Sequence, residues 1–409
     1  MNILYIHQYF KTPKEPGSTR SYWLAKELVK NGHSVTILTS SSIFESRIHN
    51  INIDGINVIY IRGAYGQNMS FYRRSMAFIN FMLKVTRVVL KNNNIDLVIA
   101  TSTPLTIGIP ALIKKWFHKT PFIFEVRDVW PEAVVAIGAI KNRFVISFLY
   151  YLEKIIYKNS SAIIPLSSGM KKSIINRYHN LKMPIVTIPN IAEINQFEIN
   201  KEKTQGGYLR SKIGFLPRFS ILYAGTFGEV NGINYLINLA KETYKLDKTL
   251  VFILIGGGSL KKEVIKKAKE FEILNRNVFI FDSIPKEDIP VLYNEVSMGS
   301  SFVIPIKELW LNSANKFFDT LASGKPVLIN YGGWQKKVIE ENNVGYVLPI
   351  ETNNESVFKF VEYTKNTDLV SVQQEKALIL AKKEYSLEVA VEKYLKILNQ
   401  INFENQLIK

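Results

Sequence analysis

Two successive series of short, nearly unbroken Ile/Val-rich runs, with helix-length stretches between the runs, constrain this chain more than any other feature. Strands buried on both faces of a parallel sheet read as continuous apolar runs, and each parallel connection needs a crossover, usually a helix. The first series comprises Ile3–Gln8, Val35–Thr39, Ile56–Ile61, Leu97–Thr101, Phe122–Val126, Ala162–Pro165 and Ile185–Ile188. Helix-like stretches fall at Thr19–Lys30, Phe71–Asn92, Leu105–His118 and Arg143–Lys158. The pattern then restarts with Ile221–Ala224, Leu250–Ile255, Val278–Phe281, Phe302–Ile304, Val327–Ile329 and Gly345–Leu348, with helices near Ile233–Lys245, Ser259–Glu272 and Ala314–Ser323. A polar stretch, Gln196–Lys212, containing Gly206-Gly207, joins the two. The alternation predicts an α/β chain of two doubly wound parallel-sheet domains, and 409 residues exceed what one core usually holds. Two such domains place a cleft between the carboxyl ends of both sheets, where open α/β folds bind ligands.

Composition narrows the class further. Hydrophobic content of 47% and charged content of 21% fit a globular protein, and the absence of cysteine excludes disulfides, thiolate nucleophiles and Cys-ligated metals. The start, Met1-Asn2-Ile3-Leu4-Tyr5-Ile6, reads as a first strand and not a signal peptide. The longest uncharged stretch, Leu97 to Ile113, is interrupted by Pro104 and Pro110 and reads as a buried strand entering a loop and helix. The net charge of +17 is uneven: residues 1–200 hold 24 Lys/Arg against 11 Asp/Glu, whereas the remainder hold 28 against 24. That asymmetry suggests an anionic partner for the first half, either nucleic acid or anionic lipid; the alternative is a solvated basic surface.

Several glycine-bearing turns suit anionic ligands. Pro16-Gly17-Ser18-Thr19-Arg20 enters the first helix, where backbone amides and the helix dipole favour an anion; a turn needing Gly for its geometry is the plainer alternative. The second series repeats this with Ala224-Gly225-Thr226-Phe227-Gly228 and Asn231-Gly232, followed by Gly256-Gly257-Gly258. The triple glycine either cradles phosphate or permits a tight crossover. No P-loop or dinucleotide fingerprint is present, which disfavours P-loop and NAD-dependent chemistry. In the short helix around Asn315-Lys316-Phe317-Phe318-Asp319, with Ser313 as expected N-cap, Lys316 can neutralise a diphosphate and Asp319 can accept from ribose hydroxyls. By spacing alone, a surface i,i+3 Lys–Asp pair is the stronger reading.

The order of these elements resembles the retaining glycosyltransferases of family 4. Lys26-Glu27-Leu28 through Gly32-His33-Ser34-Val35-Thr36-Ile37-Leu38-Thr39 is similar to their opening, Ile188-Pro189-Asn190-Ile191 to their interdomain segment, and Ala322-Ser323-Gly324-Lys325-Pro326-Val327 to the end of their donor-binding helix. Phe124-Glu125-Val126-Arg127-Asp128-Val129-Trp130-Pro131-Glu132 is similar to the surface-polysaccharide branch of WbuB type, which includes N-acetyl-L-fucosamine transferases. The resemblance implies a GT-B fold: two Rossmann-like domains, an acceptor-binding one over 1–195 and a nucleotide-sugar-binding one over 196–385, with a helix over 386–409 returning to the first. Departures are visible. Arg127 stands where many members have His, Leu311 where the first acid of a Glu-x7-Glu pair belongs, and Thr226 and Asn231 where Arg and Lys usually clamp the diphosphate.

The resulting expectation is retaining transfer of a sugar from a nucleotide-diphosphate donor, with a UDP-sugar favoured. The acceptor is a polyprenyl-diphosphate-linked glycan in O-antigen or capsule synthesis. Arg127, Asp128 and Lys316 are the expected catalytic residues. Donor binding falls to Gly17, Ser18, Gly225, Thr226, Gly228, Asn231, Gly257, Asn315, Lys316 and Asp319. The leaving phosphate assists the acceptor proton, so no protein base is named. No Asp-x-Asp motif is present, and neither metal nor cofactor is expected. The enzyme is expected in the cytoplasm, in peripheral contact with the anionic inner face of the plasma membrane. The aromatic and basic helix from Phe71 to Lys91 is one means of that contact, or else a core-packing helix with solvated charges. The rivals are a sugar-nucleotide epimerase of the same fold, a nucleic-acid-binding protein and an inactive scaffold. Scattered lysines and the lack of a recognition motif argue against nucleic acid.

Overall fold

The computed structural model describes residues 1–44, 46, 48–63, 71–203 and 207–408. Gly206 of the expected linker and the side chains of Phe71, Tyr72 and Arg74 lie outside the described residues. The strands of the first sheet are β1 (Asn2–Ile6), β2 (Ser34–Ser41), β3 (Ile48–Ile53), β4 (Ile56–Arg62), β5 (Leu97–Thr101), β6 (Phe122–Val126) and β7 (Ala162–Pro165). They lie in the order β3-β4-β2-β1-β5-β6-β7. The strands of the second are β8 (Phe219–Ala224), β9 (Leu250–Ile255), β10 (Val278–Phe281), β11 (Met298–Ser301), β12 (Val327–Ile329) and β13 (Gly345–Val347), in the order β10-β9-β8-β11-β12-β13. All neighbouring strands pair in parallel except β3 with β4.

Each sheet is covered on both faces, as its continuous apolar runs require. In the first, Ile3, Tyr5, Val35 and Ile37 face one layer, while Leu4, Ile6, Leu38 and Val98 face the other. The core on the first of those faces takes residues as far as Ile191 and then resumes with Ala390, Val391, Tyr394, Ile397, Leu398 and Ile401. The last helix, Leu387–Ile408, therefore packs on the first sheet, against the first helix, Arg20–Lys30. The second domain's core begins with Ala192 and Ile194 and runs to Ala381. Among the described residues no helix is long and apolar enough to cross a membrane.

Three strand expectations change. Strand β3 was not expected; it pairs antiparallel with β4 across Asp54-Gly55, both at positive φ, which is the geometry of a two-residue hairpin turn. Ile185–Ile188 is not a strand; Ile185 makes only a single bridge to Ile163. In the second sheet the strand is Met298–Ser301, and Phe302–Ile304 is the loop that follows it. The small residues are needed there, because a Cβ on Gly299 would lie 2.1 Å from Thr320 Oγ1 on the helix packed above. The helix Phe71–Lys91 buries Phe81, Val85 and Val89 in the core, so part of its aromatic content packs inward.

Candidate functional site

Strand order reverses beside β1 in the first sheet and beside β8 in the second, and crevices form at the carboxyl ends of such strands. A cavity of about 570 Å³ opens there, between the domains. It gathers Gly17 and Ser18 from the turn after β1, Arg127 and Asp128 from the end of β6, and Gly225, Thr226 and Asn231 from the loop after β8. Gly257 follows β9, and Asn315, Lys316 and Asp319 come from the helix Asn315–Ala322. Every expected site residue lines the cavity except Gly228, which sits beside it in extended conformation, close to Asn231 Nδ2.

The glycines in the second domain have a geometric cause. A Cβ on Gly256 would meet Gly225 O at 1.8 Å, and one on Gly258 would meet Phe227 O at 2.6 Å. The loops after β8 and β9 are laced together by Gly225 N donating to Ile255 O at 2.9 Å and Phe227 N to Gly257 O at 2.8 Å. For Gly256 and Gly258 the tight crossover thus explains the residue; Gly256 and Gly257 both line the cavity, and a Cβ on Gly257 would make only an ordinary contact, with Ser283 Oγ at 3.4 Å. Asn231 Nδ2 and Tyr223 Oη both donate to Thr226 O, at 3.0 and 2.8 Å, which fixes that loop.

Lys316 and Asp319 do not form the i,i+3 pair that spacing favours. The Lys316 amine lies 4.9 Å from the Tyr223 ring centroid and 3.2 Å from where a Cβ on Gly225 would stand. Burial pushes its pKa down to about 8, only partly opposed by the charge of Asp319. Asp319 Oδ1 instead accepts from Lys286 Nζ at 2.5 Å, and both side chains are about nine-tenths buried (10% and 11% exposed). Burial alone would lower the pKa of Lys286, but Asp319 and Glu193 together raise it. Glu193 is raised by burial, then by Asp319, against Lys286. Neither Lys286 nor Glu193 is marked in the sequence, since no local spacing ties either residue to Asp319.

Ser313 is not the N-cap; that position is Ala314, which has no side chain able to cap. Ser313 lies further back, where its carbonyl accepts from Asn190 Nδ2 at 2.6 Å. Ala314 and Asn315 both line the cavity, so the uncapped start of an eight-residue helix faces it, the arrangement that favours anions.

On the first domain, Arg127 Nη2 donates to Ser18 Oγ at 2.8 Å and Nη1 lies 3.1 Å from His7 Nε2. Burial, then the Arg127 charge, holds the His7 pKa well below its ordinary value, so the imidazole is neutral and accepts that bond. Asp128 is hydrogen-bonded by Thr103 Oγ1 and does not orient Arg127. Beneath them lies a buried ionic centre. Glu125 accepts from Arg20 Nη2 at 3.1 Å, from Thr101 Oγ1 at 2.8 Å and from Tyr394 Oη of the last helix. Arg20 also donates to Ile188 O at 3.0 Å and to Pro189 O, anchoring the segment that carries Asn190 to Ser313. An unbroken chain of bonds thus runs from the first domain's glycine turn to the start of the helix that bears Lys316. Among the described residues, no group of three His, Asp or Glu is placed to hold a metal ion.

Residues 18–196 match the family described as Glycosyltransferase Family 4, and residues 210–378 match Glycosyl transferases group 1. The Bacillus subtilis spore coat protein SA is 21% identical over 56% of this chain and 63% of its own length. The Staphylococcus aureus poly(ribitol-phosphate) alpha-N-acetylglucosaminyltransferase is 23% identical over 60% of this chain and 46% of its own. The matched stretches therefore span about half to under two thirds of those relatives. Anabaena HepE, solved with UDP and glucose, superposes at a TM-score of 0.69 with 15% identity, covering 98% of this chain and 100% of that one. At that identity the superposition shows the fold, which is GT-B.

Proposed function

This chain belongs to the family 4-type glycosyltransferases, and from that premise we propose that it transfers a sugar from a UDP-sugar, with retention, to a lipid-linked glycan of a surface polysaccharide. The observation that carries the reading is the joint cavity. An uncapped helix start and the Lys316 amine face it from one domain, and the Arg127 guanidinium faces it from the other. Both matched families are glycosyl transferases, which sets the epimerase alternative aside. The relatives support the donor class: HepE was solved with UDP, and the staphylococcal relative is named as an alpha-N-acetylglucosaminyltransferase. The resemblance around Arg127-Asp128 supports an N-acetylated deoxyhexosamine as the transferred sugar, with the enzyme working at the inner membrane face.

The difficult step is departure of the nucleoside diphosphate while negative charge builds on its β-phosphate. Fixed donors aimed at developing charge are usually the largest contribution to catalysis. Lys316 and the amides at the start of its helix receive that charge, and Arg127, held by Ser18 and His7, supplies a second cation from the facing domain. Gly225 leaves room for the Lys316 amine. Asp319, already bonded through Oδ1 to Lys286, retains Oδ2 for ribose hydroxyls. Asp128, which lines the cavity from the first domain, meets the acceptor, and the leaving phosphate takes the acceptor proton.

The test is a thermal-shift panel with UDP, GDP, ADP, dTDP and CMP, with and without magnesium. A ligand that binds only the native state raises the melting point by mass action. Selective, metal-independent stabilisation by UDP is expected. No shift with any diphosphate overturns the site drawn around Lys316 and Asp319.

A further inference from the structure

The helix Arg143–Asn159 is anchored at one end only. Its buried residues, Leu152, Glu153, Ile156 and Tyr157, all lie in the second half. In the first half Phe144 is 87% exposed, Val145 44%, Phe148 60% and Tyr151 62%. Arg143 and Ser147 are exposed as well, so the first two turns stand clear of the protein around most of their circumference. The start is nonetheless fixed, because Asn142 Oδ1 accepts from Phe144 N at 2.9 Å and Val145 N at 3.2 Å. From Ile137 to Leu152 there is no acidic residue, while Lys141, Arg143 and Lys154 are exposed around the apolar tip.

We propose that this projecting tip is the face by which the chain docks on an anionic lipid bilayer. A partner helix or flat protein surface covers one side of a helix, whereas an apolar tip exposed around most of its circumference, with only Ile146, Leu149 and Tyr150 half-buried, is satisfied by immersion at a bilayer interface. The basic rim and the large positive excess of residues 1–200 match anionic headgroups. The position also fits. Asp128 lines the cavity, and the short helix Glu132–Ala136 that follows rests against the Lys307–Leu311 turn of the second domain. Arg177, whose guanidinium lies 5.4 Å from the Tyr150 ring on the projecting helix, pairs with Glu132 at the start of that short helix and so ties the two together. Docking by the tip therefore holds the cleft mouth beside the membrane. The helix Phe71–Lys91 is a competing face, but among its described residues the exposed apolar side chains Met76, Ile79 and Leu83 form a single stripe, while Phe81, Val85 and Val89 pack into the core. The inference rests on the proposed lipid-linked acceptor for its purpose.

The test is co-sedimentation of the full chain with phosphatidylcholine vesicles, with or without phosphatidylglycerol. Three proteins are compared: parent, a Phe144→Ser/Phe148→Ser variant, and a Met76→Ser/Leu83→Ser variant. UDP thermal shift is read on each. Phosphatidylglycerol-dependent, salt-sensitive binding is expected for the parent, with a loss of about tenfold or more in the phenylalanine variant alone and the UDP shift unchanged throughout. No vesicle binding by the parent, binding that survives Phe144→Ser/Phe148→Ser, or an equal loss in the Met76→Ser/Leu83→Ser variant overturns the docking face. So does a parent dimer that Phe144→Ser/Phe148→Ser turns into monomer by sedimentation velocity, since a second copy then covers the tip. An intact UDP shift beside absent vesicle binding rejects the docking face and leaves the transferase reading standing; an absent UDP shift beside intact vesicle binding does the reverse.

Discussion

Replacing Lys316 by Met should make the ligand-free protein more stable and the nucleotide complex weaker. Burial holds the Lys316 pKa at about 8 against an ordinary 10.5. The folded state therefore disfavours the ammonium, and at pH 7 that penalty is about 3 kcal/mol, at 1.36 kcal/mol per pH unit. The sign follows from the direction of the shift. With the folded pKa depressed for a base, the penalty is present in full at low pH, shrinks as pH rises from about 8, and is gone above the unfolded value near 10.5. Methionine keeps the length of the stem and removes the charge. It also removes the contact with the Tyr223 ring, which returns about 1 kcal/mol. The net expectation is a gain of about 2 kcal/mol, or roughly 4–8 °C in melting temperature for a domain of this size. The bound diphosphate loses a charge-assisted hydrogen bond of about 1.5–3 kcal/mol, so the UDP dissociation constant rises roughly 10- to 150-fold. Calorimetric UDP titrations at pH 7, 8 and 9 add a second readout: parent affinity should fall as pH passes 8, and variant affinity should not follow it. A lower melting temperature together with unchanged UDP affinity would refute the assignment of Lys316 as the diphosphate's counter-charge.

Arg127→Ala should lower turnover about 10²- to 10³-fold with a smaller change in donor KM, and Arg127→Lys should not restore it, because one ammonium cannot span both Ser18 and His7; steady-state kinetics with a UDP-sugar decide this. Gly256→Ala should unfold the second domain at a markedly lower temperature by calorimetry, at a cost of several kcal/mol, since its Cβ would stand 1.8 Å from Gly225 O. Tyr394→Phe removes one of the bonds to the buried Glu125 carboxylate and should cost about 1.5–3 kcal/mol in urea melts. Glu125 is held below the ordinary carboxylate range by Arg20, then Arg127, against the effect of burial; its contribution is therefore present at neutral pH and lost only as pH falls through the lowered value, and the Tyr394→Phe difference should narrow in that acid range.

The two sheets were legible because strands such as Leu97–Thr101 and Leu250–Ile255 are buried along their whole length and so carry unbroken apolar runs. Strand β3 was not, since its alternating Ile-His-Asn-Ile-Asn-Ile sits on the sheet's edge, and the Asp54-Gly55 turn was the one local signal for it. Strand β11 was placed four residues late because apolarity marks Phe302–Ile304, whereas close packing under Thr320 selects Gly299, Ser300 and Ser301. The glycine turns and Lys316 could be found because short-range chemistry marks them. Lys286, Glu193 and His7 could not, because each acquires its role from a partner far away in the chain: His7 meets Arg127 only once the first sheet has formed, and Lys286 meets Asp319 only once the second has.

The helix Leu387–Ile408, which covers one face of the first sheet, is made long after that sheet. Residues 1–191 leave the ribosome with the face that awaits Val391, Tyr394 and Leu398 still bare, and with Glu125 lacking one of its donors. At about 5–20 residues per second, the intervening stretch of nearly two hundred residues imposes a wait of roughly 10–40 s before that face can close. A premature stop anywhere in the second domain consequently strands the first domain as well, although every residue of its sheet has been translated.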